Sequence, residues 1–352
     1  MISFYPGPSR VYSDIPTYVA DAYREGLLSA NHRSPAFMSL MEKTVALVKK
    51  KLAIPNKYEV YFTSSATECW QIIAQAYEGP SHHVFNGSFG KKWFTYTQRL
   101  KASTSGLNYP PEQKIDPSSF GPMASDGLIC LTNNETSNGT MISDKSILKV
   151  KNAYPNHLIA VDATSSMAGT AIDFTSADIW FASVQKCFGL PAGMAVMVCS
   201  PRAVQLALDQ GSYTHYNSLA NIIVNAHKSQ TTHTPNVLNI YLLRRTMEHR
   251  KHIVSIDNKL AMRYEAYEHA LRAKHGVSFF IDNPAVRSKT VLVVKGDEKR
   301  IGQIKKQAHE RGIILGNGYG TLKDATFRIA NFPAIKKHEH HMLLKFLNDY
   351  IP

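Results

Sequence analysis

Apolar and polar positions along this chain fall into blocks whose period changes. Between Ser34 and Pro55, Phe37, Met41, Val45, Val48 and Leu52 recur at spacings of four and three, which predicts a helix with one buried face. Ser34 stands at its cap, Pro35 at its first position, and Pro55 ends it. The period then drops to that of a strand over residues 58–63, followed by Ser64-Ser65-Ala66-Thr67 and a helix burying Cys69, Ile73, Ala76 and Tyr77. Residues 83–86 predict a short strand, and a helix to about residue 100 follows Gly87-Ser88-Phe89-Gly90. Residues 127–132 and 157–161 are continuous apolar runs ending in Asn133-Asn134-Glu135-Thr136 and in Asp162, with a helix over 144–153 between them. A third run, from Ile179, closes at Ser183-Val184-Gln185-Lys186. A glycine-rich loop follows, and then a further apolar run over 194–199.

The later part reads differently. Residues 210–235 are polar and irregular apart from an apolar piece at 222–224. Helices follow over 236–249 and about 252–274. From Gly276 on, strands at 290–294, 313–315 and 326–330 alternate with helices at 298–311 and 336–350, an α+β pattern. Residues 1–16, with three prolines and a glycine, predict an extended arm, and residues 21–27 a short helix. The expected fold is α/β. A large domain over 17–251 holds a mainly parallel mixed sheet between helices. A smaller α+β domain covers 252–352, with the arm 1–16 packed on it.

Composition changes this picture little. The chain has 352 residues, 44% hydrophobic and 19% charged, which is ordinary for a globular protein. No run of apolar residues is long enough for a membrane span, and the N-terminus lacks the pattern of a secretory signal. The four cysteines (Cys69, Cys130, Cys187, Cys199) show neither CxxC pairing nor zinc spacing, so a cytoplasmic location is expected. The net charge of +13 is scattered over short clusters such as Lys49 to Lys51, which speaks against a nucleic-acid partner. His338, His340 and His341 fall on what reads as an exposed helical face, and no metal is expected there.

Candidate chemistry centres on Lys186. A lysine on a strand-end turn is solvated, paired with a charge, or used covalently, and it can form a Schiff base with an aldehyde. Thr136, Asp162 and Lys186 all stand just beyond strand ends, the rim where ligands of such sheets sit. The turn at Ser65-Ala66-Thr67 opens a helix and offers backbone N–H groups to an anion. Arg328, within an apolar strand, needs a partner or a cleft, and suits a carboxylate.

Further stretches carry a resemblance: Asn31-His32-Arg33, Thr132 to Gly139, Asp162-Ala163-Thr164-Ser165-Ser166, Val184-Gln185-Lys186 with its following turn, and Thr232-His233-Thr234-Pro235. In order and spacing the chain resembles the class V pyridoxal-phosphate aminotransferases of fold type I, most closely the phosphoserine-converting group. The resemblance implies pyridoxal 5'-phosphate carried on Lys186, with Asp162 at its ring nitrogen, Thr136 at its ring oxygen and Phe89 stacked on the ring. Ala66, Thr67 and Gln185 would hold the phosphate. His233 and Thr234 would reach the cofactor of a second subunit, so a homodimer with shared sites is implied. His32 and Arg33 would reach the substrate's distal acid, and Arg328 its α-carboxylate. The implied reaction exchanges an amino group between phosphoserine and 2-oxoglutarate in serine biosynthesis. The alternative is a serine–pyruvate or alanine–glyoxylate transamination. The chain departs from the group in having Phe89 for tryptophan and small residues for a glycine-rich phosphate turn. At Gly316-Asn317-Gly318-Tyr319-Gly320 it also lacks the usual His-Arg pair.

Overall fold

In the computed structural model the described residues are 1–211, 213–272 and 274–351. Ser212, Ala273 and Pro352, which fall within segments interpreted above, lie outside them.

The strand segments predicted before residue 200, with an unpredicted polar edge strand, Thr104–Asn108, line up as one seven-stranded sheet, in the order Glu59–Thr63, Ala195–Cys199, Ile179–Ser183, His157–Asp162, Gly127–Thr132, Ser81–Phe85, Thr104–Asn108. Ala195–Cys199 is antiparallel to both neighbours, and every other neighbouring pair is parallel. The central strands are buried along their whole length, so helices must cover both faces, which is why these runs show no alternation in sequence. The register puts Thr132 opposite Asp162, Asp162 opposite Phe181, and Ala195 opposite both Ser183 and Thr63. The loops after Thr63, Thr132, Asp162 and Ser183 therefore open on one rim.

The later strands form a five-stranded sheet, ordered Ile2–Phe4, Ile313–Asn317, Thr326–Ala330, Val291–Gly296, Val277–Phe279, with the first pair parallel and the rest antiparallel. Its core joins Phe4, Leu292, Ile329 and Phe327 to Tyr267 of helix Ile253–Arg272, Ile301 of helix Glu298–Glu310, and Leu343 and Phe346 of helix Lys337–Tyr350.

Several expectations are corrected. The first helix is Ile15–Arg24, not 21–27; it starts inside the expected arm because Pro16 suits a first helical turn. The arm is not wholly extended coil either, since Ile2–Phe4 pairs with Ile313 to Leu315. Residues 210–235 contain a helix, Leu219–Ala226, capped by Ser218. Pro201–Gln210 is a helix that was not anticipated, although Ser200-Pro201 repeats the Ser34-Pro35 signal. His340 and Glu339 are buried, so the His338–His341 face is not wholly exposed: Glu339 pairs with Arg10 and accepts from the Lys336 N–H at 2.8 Å.

Candidate active site

Lys186 follows the strand Ile179–Ser183 and is only 8% exposed. Its Nζ donates to Thr136 Oγ1 and to Ser165 Oγ, both at 2.9 Å, and those two hydroxyls are hydrogen-bonded to each other. Burial pulls the ammonium down to about 8, while Asp162 and Glu135 draw it back up. The turn is buttressed by the N-terminal arm: Ser9 N–H donates to the Gln185 carbonyl at 2.9 Å and Tyr12 N–H to the Gly189 carbonyl at 3.0 Å. Gly7 passes so close that a Cβ there would lie 2.9 Å from Lys186 Cε, which explains a glycine at that position.

Asp162 ends the neighbouring strand and is also buried. Its Oδ1 accepts from the Thr164 N–H at 2.9 Å and its Oδ2 from Trp70 Nε1 at 3.3 Å. Burial raises this carboxyl above the ordinary range, while the Thr164 hydrogen bonds, the Lys186 cation and Trp70 oppose the rise. Trp70 lies on helix Ala66–Ala76, whose start is the expected anion-binding turn. Ser65 Oγ caps that helix, accepting from Glu68 N–H at 3.0 Å. The Ala66 N–H already donates to Ser183 Oγ at 2.9 Å, so here it is not a free anion donor as expected; Ser183, at the end of its strand, lies directly beneath the turn.

Glu135 is a buried carboxylate at the start of helix Ser88–Leu100. It accepts from Phe89 N–H (3.1 Å), Gly90 N–H (3.0 Å), Ser137 N–H (3.0 Å) and Ser137 Oγ (2.6 Å). A carboxylate there satisfies donors that a helix start leaves open, and it fixes where Phe89 stands. Gly87 permits this approach, because a Cβ would lie 2.3 Å from Glu135 Cγ.

Lys186, Asp162, Thr136, Phe89, Thr67, Ala66 and Gln185 line one cavity of about 270 Å³. Asn134 Oδ1 and Nδ2 and Gln185 Oε1, from residues of the same lining, are buried without hydrogen-bond partners. Orphaned groups of this kind mark a place built for a polar ligand. An amine for an aldehyde, a carboxylate for a ring nitrogen, hydroxyl and amide groups for a ring oxygen, and a helix start for a phosphate form a donor set that fits pyridoxal phosphate.

Arg328, expected at the substrate, does not itself line this cavity but bonds to Thr136, which does. It is buried, and its Nη1 donates to the Thr136 carbonyl at 3.0 Å and its Nε to the Asn317 carbonyl at 2.6 Å. Burial lowers its basicity, with Tyr5 and Tyr319 opposing.

His32, Arg33, His233 and Thr234 are not brought to the Lys186 cavity of their own chain. His233 and Thr234 line a separate cavity of about 230 Å³ with Ser64 and Glu68, which flank the Ser65-Ala66-Thr67 turn. His32 Nδ1 meets Thr234 Oγ1 at 3.2 Å, and Arg33 is exposed. Burial and the neighbouring Arg33 and His233 hold His32 below its ordinary value.

Sequence reasoning gave no role to Trp70, Glu135 or Ser165. Glu135 and Ser165 stand within the stretches that carry the resemblance, so a signal existed; Trp70 gave none beyond an aromatic one turn into the helix.

Comparison with known proteins places this geometry. The family model Aminotransferase class-V matches residues 6–330. The chain is 26% identical to a phosphoserine aminotransferase of Rhodococcus opacus, over 97% of this chain and 93% of that one. It is also 26% identical to the phosphoserine aminotransferase of Corynebacterium glutamicum, over 94% and 89%. The crystal structure of a phosphoserine aminotransferase from Cytophaga hutchinsonii superposes with a TM-score of 0.94 at 30% identity, covering 100% of this chain and 99% of that one. An aspartate aminotransferase from Thermus thermophilus shares the fold, with a TM-score of 0.85 at 18% identity, over 99% and 98%.

Proposed function

Because the chain belongs to the class-V aminotransferase family and is a pyridoxal-phosphate-dependent transaminase, we propose that it exchanges the amino group of phosphoserine with 2-oxoglutarate, in serine biosynthesis. The convergence of Lys186, Asp162 and Thr136 on one polar-lined cavity carries the assignment of site residues. The phosphoserine reading is supported by the relatives that span nearly the whole chain.

Pyridoxal phosphate supplies an electron sink that lets the α-carbon of an amino acid release a proton. Lys186 would hold the cofactor and, once displaced by the substrate's amine, shuttle the proton from the α-carbon. Burial favours its neutral form, which a base must have. The Thr136 and Ser165 hydroxyls hold its Nζ against the cavity wall. Asp162, kept in place by Thr164 and Trp70, would pair with the ring nitrogen. Phe89 would lie on the ring, and Ala66, Thr67 and Gln185 would surround the phosphate. Arg328 would take the α-carboxylate. His233 and Thr234 would complete the cofactor site of a second subunit, and His32 and Arg33 would reach its substrate, so the working unit is a homodimer. We further propose a large domain over 17–251 and a small one over 252–352, each built on one of the two larger sheets, and a cytoplasmic location, consistent with four buried, unpaired thiols.

A second reading, serine–pyruvate or alanine–glyoxylate transamination, is favoured by the segment Gly316 to Gly320, which carries no cation. Mixing the cofactor-loaded enzyme with phosphoserine, glutamate, serine or alanine and following the cofactor's absorbance separates the two. Phosphoserine and glutamate are expected to react fastest. Faster reaction with serine or alanine supports the second reading, and no change with any amino acid overturns the transaminase assignment of this site.

A further inference from the structure

Beside Phe89, which lines the Lys186 cavity, three further side chains meet. The Tyr319 ring lies against the Phe89 ring, with centroids 4.9 Å apart and planes tilted by 40°. Lys92, one helical turn after Phe89, donates from Nζ to Tyr319 Oη at 2.6 Å and stands 5.2 Å from the centre of that ring. Arg328 lies 5.6 Å from the same ring. Lys92 also lines the cavity that holds Lys186 and Asp162.

Lys92 is exposed, and its partner is a neutral phenol rather than a carboxylate. Its charge is therefore not neutralised by that contact, and an ammonium has three protons to donate. The segment bearing Tyr319 supplies no cation of its own, and its Asn317 side chain is engaged by Lys305 Nζ at 3.2 Å. Two cations, Arg328 and Lys92, thus flank one tyrosine.

We propose that Lys92, positioned by Tyr319, joins the His32 and Arg33 assigned to a second subunit in receiving the distal anionic group of the substrate, so that Arg328 and Lys92 within one chain favour amino acids with an acid at each end. This rests on the transaminase reading and on Arg328 as the α-carboxylate clamp. Tyr319 is a positioning residue: its hydroxyl aims the lysine, and its ring closes the space above Phe89. The distal group is a phosphate monoester or a carboxylate, since one ammonium accommodates either.

The test compares wild type, Lys92→Met and Lys92→Arg in single-turnover reactions with phosphoserine, glutamate and alanine. For Lys92→Met, kcat/KM is expected to fall at least about tenfold more for phosphoserine or glutamate than for alanine, in keeping with loss of one charge-assisted contact. Lys92→Arg should restore most of that difference. A larger loss with phosphoserine identifies a phosphate as the favoured group, and a larger loss with glutamate a carboxylate. Equal losses for all three amino acids, or no loss, overturn the proposal. Binding is measured separately, as the rise in melting temperature of the loaded enzyme on adding phosphoserine or glutamate, which should shrink in Lys92→Met. If wild type turns over none of the amino acids, the transaminase reading fails, while the binding measurement still decides whether Lys92 holds the anion.

Discussion

The two ends of the proposed pocket are built to different standards. At the Lys186 end each charged group is held from at least two directions. Nζ has two hydroxyls, the Asp162 carboxylate has two donors, and Glu135 gathers donors from two segments. All of these are buried, and they hang from loops on adjacent strands of one sheet. At the Tyr319 end an exposed lysine, a half-buried tyrosine and a glycine-rich segment meet through one hydrogen bond and ring contacts. The contrast teaches where precision is needed. Proton transfer fails if atoms shift by a fraction of an ångström, whereas recognition of a distal anion tolerates a mobile cation.

The sharpest way to break this contrast is at the tight end. Lys186→Ala should reduce turnover by at least about 10⁴-fold and remove the visible absorbance of bound cofactor. An enzyme that keeps full activity would show that the convergence on Nζ is incidental. Arg328, which touches both ends, should give an intermediate result. Arg328→Lys keeps the charge but loses the fork, and kcat/KM should drop about 10- to 100-fold for amino donors and oxo acceptors alike. Unchanged values for both would put the carboxylate clamp elsewhere. The smallest effect is one of pH. Lys186 in the cofactor-free protein is held near 8, so it is protonated and unreactive below that value and neutral above it. The rate of cofactor uptake should therefore climb about tenfold per pH unit below 8 and flatten above. A rate that does not vary from about pH 6 to 8 would mean that burial does not depress the lysine.

The sequence carried the strands of the central sheet and the capped helix Pro35–Leu52 because burial on both faces, or on one helical stripe, leaves a local pattern. Strand Thr104–Asn108 left none: it is an edge strand reading TSGLN, mostly open to solvent. Strand Ile2–Phe4 is three residues long and pairs with residues more than 300 positions away, which no window of sequence detects. The site divides in the same manner. Lys186, Asp162 and Thr136 were legible because strand ends are legible. Trp70, which holds Asp162, was not, because that contact depends on which helix lies over the rim, and Ser165 was marked only as part of a longer stretch, not as a partner of Lys186. The free N–H expected at Ala66 failed for a similar reason, since its partner Ser183 lies 117 residues away.

The path of the first dozen residues has a bearing on how the protein is made and handled. They pair with Ile313 to Leu315 at one end and hydrogen-bond to the Lys186 turn at the other. During synthesis the strand Ile2–Phe4 must wait until residues 313–315 have been made before it finds its neighbour, so this side of the lysine's surroundings is completed late. A change within the first dozen residues therefore acts on the Lys186 turn through the Ser9 and Tyr12 hydrogen bonds.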